Sequence, residues 1–218
     1  MLVGGTALAG YYAGHRRSDD LDLFAGDESS RRATVLAVKS LSTLGAAIEE
    51  RLSTSQFYSA TCELDGHLFT VQVVLDSNLF VIAGFHQAAD GVLVADLPTL
   101  LKMKAATLVS RCAEKDLYDL LWLLRREPGL TLEKLVELGA QVDAGMSPEA
   151  VLTSLVGTTL SKGACTFSRT ESPGAVFRKI SSLKKKLERG FERIALGQPA
   201  PPIGELILRL RRNSDREK

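Results

Sequence analysis

The sequence predicts an α+β fold, with an N-terminal mixed sheet and flanking helices followed by a helical C-terminal half. Three observations carry this. Short apolar and β-branched runs crowd the first hundred positions, and two of them meet at Asp65-Gly66, a strong hairpin step. From Asp96-Leu97-Pro98 onward, apolar residues recur at helical spacing instead. The 218 residues are 45% hydrophobic and 24% charged, values that exclude disordered, collagenous and coiled-coil classes and allow a sizeable core.

The elements follow in order. Leu2-Val3 reads as the end of a strand that runs into Gly4-Gly5-Thr6, with Thr6 as N-cap of a helix from Ala7 to Tyr12. A polar turn at His15-Arg16-Arg17-Ser18 precedes a short strand, Leu21 to Phe24. Ser30 to Leu44 is helical in composition and ends near Gly45. Three strand-like runs come next: Gln56–Leu64, Leu68–Leu75 and Leu79–Ala83. Pro98 opens a helix bearing Leu100, Leu101, Met103, Lys104, Leu108 and Arg111. Glu114 to Arg126 is a leucine-rich helix stopped by Pro128-Gly129, with Tyr118 and Trp122 expected in the core. Leu132–Ala140 and Pro148–Leu155 are further helices, and Gly157 to Pro173 is a polar loop. Ala175–Ala195 is a long basic helix, Gln198–Pro202 a break, and Ile203–Arg212 a last short helix. The change of period divides the chain into residues 1–97 and 98–218.

Charge is divided as well. The net charge is +1, yet residues 1–100 carry 6 Lys+Arg against 12 Asp+Glu, and residues 178–218 carry 12 against 5. A near-neutral total therefore does not exclude a polyanionic partner. Cys62, Cys112 and Cys165 are odd in number and lack CxxC spacing, so neither a disulfide framework nor a zinc site is expected. With no signal-peptide pattern and no run of 18 apolar residues, a cytoplasmic protein with no membrane partner is expected.

Residues 2–24 hold the most chemistry. Asp20 and Asp22 lie two apart in an apolar strand, so their carboxylates leave the same face. Such a pair repels unless a cation lies between, and Mg²⁺, which takes one or two carboxylates plus substrate phosphates, is the natural occupant. Upstream, Gly4, Gly5 and Thr6 at a strand-to-helix junction offer backbone N–H groups and a positive helix end suited to a triphosphate. His15, Arg16 and Arg17 add polar groups close by, His15 as a group that orients the Asp loop.

Strand, Gly-Gly, helix and then an Asp-Leu-Asp strand is a layout that resembles DNA-polymerase-beta-like nucleotidyltransferases. More narrowly, Gly4-Gly5-Thr6-Ala7-Leu8-Ala9 followed by His15-Arg16-x-Ser18-x-Asp20-Leu21-Asp22-Leu23-Phe24 is similar to the signature of the AbiEii/AbiGii toxin family of nucleotidyltransferases. A second run, Met103-Lys104, Arg111 and Lys115-Asp116-Leu117-Tyr118-Asp119-Leu120, resembles that family's helical Lys motif and its Arg-x-x-x-Lys-Asp-x-x-Asp-Leu motif. The resemblance covers roughly residues 2–125. It implies a nucleotidyltransferase core in residues 1–97, with 98–126 completing the active site. It implies Asp20 and Asp22 as Mg²⁺ ligands, and Gly4, Gly5, Thr6, Arg16, Ser18, Lys104 and Arg111 as the nucleotide-binding set. Asp116 is implied as a base or site-ordering residue. A plainer reading stays open for the second run: Asp116 and Asp119 lie in a first helical turn, where the helix dipole favours acids regardless of function.

One departure stands out. Polymerase-beta-like enzymes place a third carboxylate on a neighbouring strand, where this chain offers Gln72, with Asp76 only at the strand's end. Gln72 cannot be an anionic ligand or a base. Either the third carboxylate is dispensable, Asp116 replaces it, or the enzyme is impaired. At the other end of the chain, Lys184, Lys185, Lys186 and Arg189 on the 175–195 helix, with Arg209, Arg211 and Arg212 beyond, are candidates for RNA backbone contact, the alternative being a solvated basic face. The expectation is Mg²⁺-dependent transfer of a nucleoside monophosphate from an NTP to an acceptor such as tRNA. The biological role would be the toxin of a type IV-like toxin–antitoxin or phage-defence system, with a cognate antitoxin encoded nearby. Two alternatives remain: a catalytically impaired relative that binds nucleotide or a partner, and a nucleotidyltransferase acting on a small molecule.

Overall fold

A computed structural model describes residues 1–206. The chain forms two compact units, Met1–Leu100 and Leu101–Lys218. It is α+β, with a seven-stranded mixed sheet in the first unit and a helical second half.

In the first unit, strand β1 (Leu2–Val3) leads directly into α1 (Gly4–Ala7), which continues as a π-helical segment, Leu8–Ala13. The helix therefore begins before the predicted Thr6 cap. Its N-cap is Val3, which has no capping side chain, and Gly4 makes the turn at φ +68°. The Thr6 hydroxyl donates across to the Asp20 carbonyl instead. Strand β2 (Asp20–Ala25) follows, then α2 (Glu28–Ser40), capped by Asp27, which accepts from Ser30 N. The predicted single helix to Leu44 ends as a 3₁₀ turn, Leu41–Leu44, before Gly45 at φ 91°.

Strand β3 (Ala47–Ser53) has no counterpart in the sequence prediction, because AIEERLS is polar and almost wholly exposed, as an edge strand can be. Strands β4 (Phe57–Leu64) and β5 (His67–Leu75) form the expected hairpin, with Asp65 and Gly66 both at positive φ. The run 79–83, read as a strand, is instead the helix α3 (Ser77–Ile82). Asp76 decides this by accepting from Leu79 N at 2.8 Å, an N-cap that turns apolar residues into a helical turn. Strands β6 (Phe85–Gln87) and β7 (Leu93–Ala95) were too short to show a period.

The sheet order is β3-β4-β5-β2-β1-β7-β6. Strand β2 runs antiparallel to β1 and parallel to β5, so it occupies the middle of the sheet. Helix α2 covers one face: Val38 packs with Tyr58, Ala60, Cys62, Val71 and Val73, joined by Leu21, Leu23 and Val35. Strand alternation then sends Asp20 and Asp22 to the opposite face.

The second unit contains most of α4 (Leu97–Ser110), then α5 (Glu114–Leu124), α6 (Leu132–Ala140), α7 (Pro148–Gly157) and α8 (Pro173–Ala195). Helix α8 is amphipathic and packs on α5 and α7 through Val176, Ile180, Leu183, Leu187 and Phe191. Tyr118 is buried as expected and bonds Ser168 and Glu171. Trp122 is not fully in the core: it is partly exposed and the Arg126 guanidinium lies over its ring. Residues 203–206 are helical, while Arg209, Arg211 and Arg212 lie outside the described residues.

Candidate active site

The β1–β2 register pairs Val3 with Asp22, which sets the next residue, Gly4, beside the Asp22 carboxylate. A side-chain carbon on Gly4 would stand 2.2 Å from Asp22 Oδ2, and its positive φ also disfavours any larger residue. At Gly5 the corresponding position is 2.0 Å from Arg16 Nη2 and 3.2 Å from Ser18 Oγ. Gly4 is thus required by its positive φ, a side chain at Gly5 would displace the Arg16 guanidinium, and the turn, Arg16, Ser18 and Asp22 form one locality. Val3, the N-cap of α1, supplies no capping side chain, and helix starts are places where backbone N–H groups can hold an anion.

Arg16 is buried at 4% exposure and donates through Nη1 to the Arg17 carbonyl at 2.8 Å. It packs under the glycine turn rather than out into solvent. His15 is also buried.

Across β2, the parallel register aligns Asp20 with Thr70 and Asp22 with Gln72. Thr70 Oγ1 donates to Asp20 Oδ1 at 2.5 Å. This residue was missed in the sequence, because only a non-local parallel pairing brings it to Asp20. Asp76 caps α3 at the strand's end. The two-carboxylate donor set fits a hard divalent cation completed by substrate phosphates and water. Among the described residues there is no cluster of three or more His, Cys, Asp or Glu that would make a protein-only cage.

The second motif forms its own cluster in the second unit. Lys104 Nζ lies 2.8 Å from both Asp116 Oδ1 and Asp119 Oδ2, and these three side chains are at most 5% exposed. Arg111 Nε donates to Asp116 Oδ2 at 2.8 Å and its Nη2 to Oδ1 at 3.2 Å, while most of the Arg111 side chain is exposed. Two cations and two carboxylates balance, as buried charge requires. Burial would raise the Asp116 carboxyl, but Lys104 and Arg111 outweigh it and hold it below the ordinary carboxylate value. In this arrangement both oxygens of Asp116 are engaged, which makes it a tie between α4 and α5 and a weak base. Asp119, outside the site set the resemblance implies, is completely buried and is a full member of the cluster.

On α8, Lys184 pairs with Glu188 and Lys186 donates to the Leu206 carbonyl. Lys185 and Arg189 face solvent. No helix among the described residues is long and apolar enough to cross a membrane.

No family model matches the chain, and no curated protein does. Among solved structures it is similar to MenT4, a nucleotidyltransferase toxin from Mycobacterium tuberculosis H37Rv, with TM-score 0.50 and 15% identity, covering 88% of this chain and 77% of that one. It is also similar to JHP933 from Helicobacter pylori, with TM-score 0.47 and 14% identity over 90% and 87% of the two chains. The fold is therefore one that a nucleotidyltransferase toxin uses. What this chain does with it rests on its own residues.

Proposed function

We propose that this protein is a nucleotidyltransferase that moves a nucleoside monophosphate from an NTP to an acceptor, the end of a tRNA, and acts as a toxin opposed by a cognate antitoxin. The observation that carries the reading is the close approach of the glycine turn to one of the paired carboxylates: Gly4 fits because it lacks a side chain beside Asp22. Phosphate and metal sites are thereby adjacent, as nucleotidyl transfer needs.

In the reaction, an acceptor hydroxyl oxygen attacks the α-phosphorus. A new P–O bond forms, the bond to the β-phosphate's bridging oxygen breaks, pyrophosphate leaves with that electron pair, and the hydroxyl proton passes to water. The N–H groups of Gly4, Gly5 and Thr6 hold the leaving phosphates. Asp20 and Asp22 would hold Mg²⁺, which supplies charge neutralisation and Lewis acidity. Thr70 fixes one oxygen of Asp20 and so orients the carboxylate.

A second reading, an impaired nucleotide-binding relative, is favoured by one observation: the residue aligned with Asp22 on β5 is the neutral Gln72. The test is incubation with each labelled NTP, Mg²⁺ and total tRNA, beside an Asp20→Ala/Asp22→Ala control. Label on tRNA that vanishes in the control supports transfer. NTP binding without label on any acceptor supports the second reading and sinks the first.

A further inference from the structure

We propose that the cleft between helix α8 and the segment 199–206 is a phosphate-binding site. It lies in the second unit and stands apart from the carboxylate pair and from the transfer reading above.

The site is built by a chain reversal. Helix α8 ends at Ala195, and Gly197 turns at φ +68°. Arg193 Nε then donates to the Pro199 carbonyl at 3.0 Å and Lys186 Nζ to the Leu206 carbonyl, so the segment runs back along the helix. The turn at 128–130 fixes it from the other side: Ile203 N donates to the Leu130 carbonyl at 2.9 Å and Gly204 N to the Pro128 carbonyl at 3.0 Å. Ile203 is fully buried, and a side-chain carbon on Gly204 would stand 2.5 Å from the Pro128 oxygen. On the helix side, Gly190 lets α8 approach Leu132, with which any side chain there would overlap. Both walls are therefore anchored before a ligand arrives, which lowers the cost of binding one.

What the walls enclose is cationic. A cavity of about 220 Å³ lies between them, with Lys186, Arg189 and Arg193 on the helix side and Pro201, Glu205 and Leu206 opposite. The cations are spaced i, i+3 and i+7, which puts them on one helix stripe. Glu205 is exposed and forms no ion pair among the described residues, and Arg189 has no partner among them either. Arg193 spends one of its five N–H donors on Pro199. Three cations against one carboxylate leave the lining at a net of +2. A phosphate group of about −1.5 to −2, or two neighbouring phosphodiesters, matches that charge, and guanidinium forks match its oxygens. The half-buried Pro201 and Leu206 form an apolar wall that strengthens such contacts. The volume falls below the range of about 300–1,000 Å³ that holds whole drug-sized molecules, so the cleft takes the phosphate and leaves the rest of its carrier outside. A stripe of cations that served only to keep the helix solvated would need no opposite wall.

RNA phosphodiesters and free phosphorylated compounds offer the same chemistry, and the test separates them. The full chain is titrated with pyrophosphate by isothermal titration calorimetry, in EDTA so that metal-dependent binding is silent. Two charge-matched variants are compared: Arg189→Gln/Arg193→Gln in the cavity, and Arg178→Gln/Lys185→Gln at exposed positions of the same helix outside it. Each is checked by circular dichroism, and Arg189→Gln alone serves if loss of the Arg193–Pro199 contact disturbs the fold. The expected result is a Kd raised about tenfold by the cavity pair and about threefold by Arg189→Gln, and unchanged by the outside pair. No pyrophosphate binding by the wild type, or equal losses in the two double variants, overturns the site in favour of a diffuse basic face. With the site present, displacement of a fluorescein-labelled short single-stranded RNA by pyrophosphate supports it as a seat for RNA phosphates. Pyrophosphate binding that leaves the RNA anisotropy unchanged supports it as a seat for a small phosphorylated compound. Label transfer to tRNA enters none of these readouts, so the site and the transfer reading fail separately.

Discussion

At the residue scale, the two conspicuous motifs of the chain are built in opposite ways. The Asp20–Asp22 pair is partly exposed, and Asp22 lies against the Gly4 turn. The Lys104–Asp116–Asp119 cluster is buried and balanced by its own members and Arg111. Removing one partner of such a cluster leaves an uncompensated charge, so Lys104→Met is expected to cost about 3–5 kcal/mol in urea unfolding. The same cluster sets a pH dependence. Because the folded Asp116 carboxyl lies below its unfolded value, its contribution is complete above the ordinary carboxylate pKa, about pH 4, and is lost as pH falls through the lower folded value. Unfolding measured from about pH 7 down to about pH 3 should steepen at the acid end, and Asp116→Asn should flatten that fall. The carboxylate pair was legible because a period of two is a local property. Thr70, fifty residues away in sequence from Asp20, was not.

At the scale of elements, short segments were decided by caps and pairing rather than by composition. The run 79–83 is rich in strand formers, yet Asp76 caps it into helix α3. The same contact accounts for the only carboxylate at the end of β5. Asp76→Ala should therefore lower stability by about 0.5–2 kcal/mol and leave the rate of label transfer unchanged, which urea unfolding and the tRNA assay together check. Long helices were legible throughout. Leu132–Ala140 has its predicted bounds and α8 differs only at its start, because apolar spacing over many residues is a strong signal. Strands β3, β6 and β7 were not: one is an exposed polar edge and the others are three residues long.

At the scale of the whole molecule, the charge of the chain is divided, with acids outnumbering cations in the first hundred residues and cations outnumbering acids in the last forty. The structure sorts those cations. Lys184 and Lys186 are engaged within the second unit, which leaves Lys185 and Arg189 as the exposed members of the predicted RNA-contacting set. If α8 contacts RNA, Lys185→Ala/Arg189→Ala should reduce the slope of log affinity for tRNA against log salt by about 2, measured by filter binding across a salt series. The sequence by itself determined the α+β class, the hairpin at Asp65-Gly66, the long helices and the shared face of Asp20 and Asp22. Each of these follows from residues near one another in the chain. Only the tertiary structure decided that Gly4 touches Asp22, that Thr70 holds Asp20, and that Lys104 and Asp116 are bonded to each other. Those contacts depend on strand order, register and helix packing, which bring together groups that no local period relates.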